Sequence, residues 1–237
     1  MAYRRAGNPF DFGGRVPAAV GGLLVATVAV SLVGALGDQL GFPLRGLLVL
    51  QPAAVWRGEV WRLVTWVLLE TDPLNLLFGA LVLFWFGRDL AETWGERRFL
   101  AAYLGVPGVA AAATTLLSLA WPALRGGVWT GLWPAADGLV VAWALLFPFR
   151  QILLFFALPV SGKSLLLFTV GATVFFAIFD GVAAFVPHLL AEGAMWLYAS
   201  GLGPGRWLRK IRWPRRRGRG RFEVIHVDRD PDRKWLN

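Results

Sequence analysis

Residues 16–37 run without a single charged side chain. About 20 consecutive, mostly apolar residues are what an α-helix needs to cross the hydrocarbon core of a bilayer. In lipid every backbone N–H and C=O must be satisfied internally, so a segment of this kind is read as a helix. Arg4, Arg5 and Arg15 before it resemble the basic start of a signal peptide. The apolar run is too long for one, and no small-residue cleavage site clearly follows, so the segment is expected to stay as a helix.

Five further apolar stretches follow, at about 73–87, 99–121, 131–148, 164–179 and 183–201. Composition agrees with a membrane protein, with 57% hydrophobic and only 16% charged residues, where a soluble domain carries about a quarter charged. Two intervening segments do not qualify as spans. Residues 37–65 mix Pro, Gly, Trp and charge, and read as an interfacial, partly re-entrant loop with Trp56 and Trp61 at headgroup depth. Residues 151–162 are apolar but short, and read as an interfacial segment or half-hairpin. The expected fold is an all-α integral membrane bundle of six transmembrane helices over 16–202, between a segment 1–15 and a basic tail 203–237.

Short-loop Lys and Arg orient such a bundle toward the cytoplasm. Arg4, Arg5, Arg15, Arg88, Arg97, Arg98, Arg150, Lys163 and the tail fall on one side of six spans. Arg45, Arg57, Arg62 and Arg125 fall on the other. Both termini are therefore expected to be cytoplasmic. The net charge is +9, and half of the 24 Lys and Arg residues lie after Gly205. Arg215, Arg216 and Arg217 are expected to touch anionic headgroups. Nucleic acid is disfavoured, because the tail lacks an aromatic stacking pattern. Its FEVIHV run, residues 222–227, is β-like, with disorder the default at a terminus.

Chemistry is restricted by what is missing. The chain has no cysteine and only two histidines, His188 and His226, so no thiolate or histidine-rich metal site is expected and no cofactor is implied. PVSGKS, residues 159–164, ends like a phosphate loop, but Ala157 stands where the upstream glycine is needed. It reads as a cytoplasmic turn.

Four motifs in order carry a family resemblance: GEVWRLVT (58–65, with Trp61 and Arg62), FGRDLAETWGERRFLAAYL (86–104), VAWALLFPFR (141–150) and VPHLLAEG (186–193). Together they resemble the rhomboid family of intramembrane serine proteases. The resemblance implies a six-helix rhomboid-like bundle with a large interfacial first loop. It also implies a serine at the start of the fourth helix and a histidine base on the sixth. Here Trp133 stands at the serine position, or Ala136 in a shifted register, and neither has a hydroxyl. His188 matches the base. Asn75 and Gly79 match the histidine and asparagine that help hold the oxyanion. A base without a nucleophile cannot run acyl transfer, so the resemblance implies an inactive pseudoprotease rather than an enzyme. The family's glycine-spaced turn appears as Gly87, Ala91 and Gly95, with Glu92 displaced by one residue. Ala191 and Met195 take the place of small packing residues, and Met195 is expected to push the sixth helix from the fourth. Trp133 and Met195 would then fill the space of a substrate.

Asp137 lies one turn beyond Trp133 in an otherwise apolar stretch. A carboxylate in lipid costs several kcal/mol unless paired, protonated or wetted. A buried Asp137–His188 pair answers the cost, with Glu192 one turn beyond His188 and Glu70 a further candidate member of the cluster. The simpler meaning is two buried polar groups satisfying each other; a proton or cation site is the sharper one.

The expected function is non-catalytic binding of transmembrane segments of clients or partners. The alternatives are a scaffold subunit of a larger membrane complex and an active intramembrane protease with an unrecognised nucleophile. Ala-, Gly-, Arg- and Trp-rich usage suggests a bacterial inner membrane.

Overall fold

A computed structural model describes residues 16–154 and 158–201. Arg4, Arg5, Arg15, Ala157, His226, the Arg215, Arg216 and Arg217 cluster and the FEVIHV run lie outside the described residues. The elements in order are α1 (Ala18–Gln39), α2 (Leu44–Leu48), α3 (Pro52–Val55), α4 (Arg62–Thr65), a 3-10 turn (Trp66–Leu68), α5 (Pro73–Trp94), α6 (Glu96–Leu117), α7 (Pro122–Arg125), α8 (Leu132–Leu146), β1 (Gln151–Leu154), β2 (Leu158–Ser161), α9 (Gly162–Asp180) and α10 (Val182–Ala199).

Five helices are long and apolar enough to cross a membrane: α1, α5, α6, α9 and α10. The fourth expected span, 131–148, is different. Helix α8 has 15 residues, or about 22 Å at 1.5 Å per residue, against about 30 Å of hydrocarbon. It is the centre of the bundle: α5, α6, α9 and α10 all pack on it, and Gly138, Leu139, Val140, Val141, Ala142, Trp143 and Ala144 are all buried. A helix surrounded by protein does not have to match the bilayer, since its ends are covered by neighbours rather than by lipid. The structure thus supports five candidate spans packed around a shorter apolar core helix.

Two span limits also move. Helix α5 does not end near Gly87 but continues through Arg88, Asp89 and Glu92 to Trp94. The charges are accommodated there. Arg88 pairs with Glu92 at 3.2 Å, and Asp89 Oδ2 accepts from Trp143 Nε1 at 2.7 Å and from Arg150 Nη1 at 2.8 Å. The break is Gly95 alone, at φ 83° and ψ 148°, a region only glycine occupies comfortably. Helix α6 then starts at Glu96, earlier than expected. The Glu96 carboxylate accepts from the backbone N–H groups of Ala18 and Ala19 at 3.1 and 3.3 Å. It thereby caps α1, whose N-cap residue Pro17 provides no side-chain bond.

One end of the bundle, here called the loop face, carries α2, α3, α4 and α7. Arg62 organises it. Only 4% exposed, it donates to the carbonyls of Gly46 and Val49 at 2.6 and 2.9 Å and pairs with Glu59 at 2.6 Å. Trp61 Nε1 donates to Leu47 O, and Thr65 Oγ1 to Leu48 O. Trp56 and Trp61 themselves stay exposed, as aromatic side chains at a membrane–water boundary do. The opposite end carries the β1–β2 hairpin, antiparallel with Gln151 opposite Ser161 and Leu154 opposite Leu158. Its base is tight: Gly162 N–H donates to Arg150 O and Lys163 N–H to Pro148 O.

Candidate functional site

The polar groups inside the bundle gather between α8, α9 and α10. Asp137 lies five residues into α8 and His188 six into α10, so both sit about 8–9 Å below the loop-face ends of their helices. His188 Nδ1 is 2.8 Å from Asp137 Oδ2, and the two side chains are 19% and 17% exposed. One turn deeper on α10, Glu192 is buried and its Oε1 accepts from Thr173 Oγ1 of α9 at 2.6 Å. The one Thr173 hydroxyl hydrogen is shared with Thr169 O, 3.1 Å away, the back-bond that hydroxyls within apolar helices make. Phe185 covers one side of the imidazole, 5.2 Å away between centroids, and itself stacks on Phe176.

Helix α10 packs on α8 with Met195 over Gly138. A Cβ there would lie 3.5 Å from Met195 Cβ and Cε. Met195 is 1% exposed, so the long side chain lies across a residue with no side chain. The expectation that Met195 would push these helices apart is corrected: α8 and α10 are the most extensively packed pair in the bundle. The small residue has moved from one helix to the other.

The remaining expected positions do not join this cluster. Trp133 is half-buried, and the side chain that fills the neighbouring space is Leu132. Leu132 is fully buried against Gly79, where a Cβ would come within 2.6 Å of Leu132 Cδ2. Ala136 is buried. Asn75 is exposed, in the first turn of α5, where its backbone N–H donates to Asp72 Oδ1 at 2.8 Å. Glu70 is buried elsewhere: its N–H donates to Ser31 Oγ at 3.0 Å, and its Oε1 accepts from Thr71 and Asp72 N–H. It is a loop-organising carboxylate, not a member of the Asp137 cluster. Gly87 packs against Phe99 and Leu83, and Glu92, offset from Gly95, pairs with Arg88 instead of bridging helices.

Two residues that matter went unnoticed in the sequence. Thr173 is one hydroxyl among many apolar residues, and only the packing of α9 on α10 shows that it serves Glu192. Gly131 is one glycine among many in the sequence. Its N–H donates to Trp66 O at 2.8 Å, and a Cβ would meet Val67 Cα at 2.7 Å. That close approach fixes where α8 begins and so how deep Asp137 sits.

Helix content, span lengths and a buried intramembrane polar cluster define a multi-pass, all-α integral membrane protein. More particularly, the chain belongs to the family described as Eukaryotic integral membrane protein (DUF1751), whose model matches residues 21–203. No curated protein matches it. The family match corrects two expectations. The identification as a rhomboid-family pseudoprotease is overturned, since the match is to a different family, one within a rhomboid-like clan. Glycine-spaced motifs mark close helix packing, which several membrane families share, and Trp61 and Arg62 here bond carbonyls of the loop. The bacterial inner membrane is overturned as well, because the family is described as eukaryotic. Residue usage reports composition and carries no physical signal of compartment.

Proposed function

We propose that this protein binds transmembrane helices of other membrane proteins and has no catalytic activity. The observation that carries the reading is the Asp137–His188 pair. It is an intramembrane ionisable pair at the core helix, left partly open rather than sealed. Such groups are expensive in lipid and usually mark a functional site.

Three features support it. Helices α5 and α9 each pack on α8 but make at most marginal contact with each other. They flank the core helix with exposed apolar side chains, among them Leu77 and Phe78 on α5 and Leu167 and Phe168 on α9. A guest helix fits a cleft of that kind. Second, the serine hydroxyls are occupied away from His188: Ser31 with Glu70, Ser118 with Thr115 and Trp56, Ser161 with Ser164, and Ser200 with Leu197. A histidine base without a hydroxyl to activate does not make a nucleophile. Third, on α8 the polar groups stop at Asp137, and the helix from Gly138 to Ala144 is buried and apolar. That disfavours a proton or cation path through the bundle.

Photo-crosslinking in native membranes tests the proposal. A photoreactive residue at Phe78 or Phe168 is expected to give adducts with transmembrane proteins, and one at Leu32 on α1 is not. Equal labelling at all three positions would leave no case for a dedicated helix-binding face.

A further inference from the structure

The same cluster states what a bound helix has to carry. A carboxylate accepts hydrogen bonds and does not donate them. Facing Asp137 Oδ2, the imidazole of His188 therefore presents a hydrogen on Nδ1, and Nε2 is its remaining polar atom. Among the described residues Nε2 has no hydrogen-bond partner. Nor is it sealed: the buried side-chain atoms without partners are Thr27 Oγ1, Glu70 Oε2 and Tyr103 Oη, and His188 is not among them. Asp137 Oδ1 and Glu192 Oε2 are likewise unpaired and unsealed.

The uncommitted polar atoms of the site are thus one imidazole nitrogen and two carboxyl oxygens, and the Asp137 carboxylate can only accept. The Thr173 hydroxyl is already shared between Glu192 Oε1 and Thr169 O. No Lys or Arg of the described chain pairs with either carboxylate; the ion pairs of the described residues lie elsewhere, apart from Asp137 with His188 itself.

We propose that the Asp137–His188–Glu192 cluster recognises a hydrogen-bond donor, a basic or amide side chain, carried within the apolar stretch of the bound transmembrane helix. This deepens the helix-binding reading and rests on it. A side chain of that kind is poorly accommodated by lipid alone. Asp137 and His188 present their free polar atoms about 8–9 Å below the loop-face ends of α8 and α10.

The test uses the full-length protein in nanodiscs and synthetic leucine-rich transmembrane peptides, with binding read by fluorescence energy transfer. The guest at the centre of the peptide is Leu, Asn or Lys, and a control peptide carries Lys at the last apolar position. Hydrogen bonds between membrane helices correspond to about 3- to 15-fold in affinity. Central Asn and Lys are expected to bind tighter than Leu by that factor, with terminal Lys no better than Leu. In His188→Phe and Asp137→Leu the Asn and Lys peptides are expected to lose their advantage over the Leu peptide. Equal binding of all guests to the natural protein would overturn donor recognition and leave helix binding standing. No binding by any peptide would overturn both. The guest series on the unaltered protein decides the matter even where a variant fails to fold.

Discussion

Single residues hold this structure where the backbone has no other partner. Arg62 is the clearest case, since a buried guanidinium bonds two loop carbonyls and a carboxylate. Arg62→Ala leaves Gly46 O and Val49 O without that donor and Glu59 with only the longer Arg57 contact at 3.9 Å. A loss of about 3 kcal/mol is expected, read as a lower thermal midpoint in detergent. Arg62→Lys is expected to recover little, because an ammonium lacks the planar fork that reaches all three acceptors. At Gly131 the difficulty is steric. The Cβ of Gly131→Ala would meet the backbone at Val67 Cα, 2.7 Å away. Backbone yields less readily than a flexible side chain, so about 1–3 kcal/mol of destabilisation is expected. Gly21→Ala, with nothing within 4 Å of its Cβ, should leave the midpoint unchanged or slightly raised.

Among the elements, the α5–α6 turn joins two helices through one residue and caps a third. Gly95→Ala forces φ 83°, ψ 148° on a residue with a Cβ, for about 1–3 kcal/mol. Glu96→Ala removes the only side-chain acceptors described for the first N–H groups of α1. About 1 kcal/mol is expected, and faster hydrogen exchange confined to residues 18–21 would show that the loss is a cap and not a general loosening. Span positions on this scale were largely legible from hydropathy alone, because bilayer thickness imposes a minimum run of apolar residues. The ends were not. Charge at Arg88, Asp89 and Glu92 argues for a loop, yet Arg150, Trp143 and an i,i+4 pair satisfy those groups and the helix continues. No local pattern foretells partners some 50–60 residues away in the chain.

For the molecule as a whole, the loop face is tied to the helix bearing His188. Trp129 forms an isolated bridge with Leu50, and its Nε1 donates to Ala184 O at 2.7 Å, one turn before His188. Trp129→Phe keeps the ring and removes the donor. A loss of about 1 kcal/mol is expected, together with faster proteolysis in the α9–α10 connection at Gly181; unchanged cleavage there would show that the tether does not hold α10. By itself the sequence determined a polytopic all-α membrane protein, the register of its apolar stretches, and the need for an answer to Asp137, because the cost of polar groups in lipid acts on each segment independently. Tertiary structure alone decided that α8 is a short core helix, that Gly138 receives Met195, that Glu70 lies apart from Asp137, and that Thr173 serves Glu192. Each of these depends on which helix faces which, and that is settled by side-chain volume and hydrogen-bond partners brought together from distant parts of the chain.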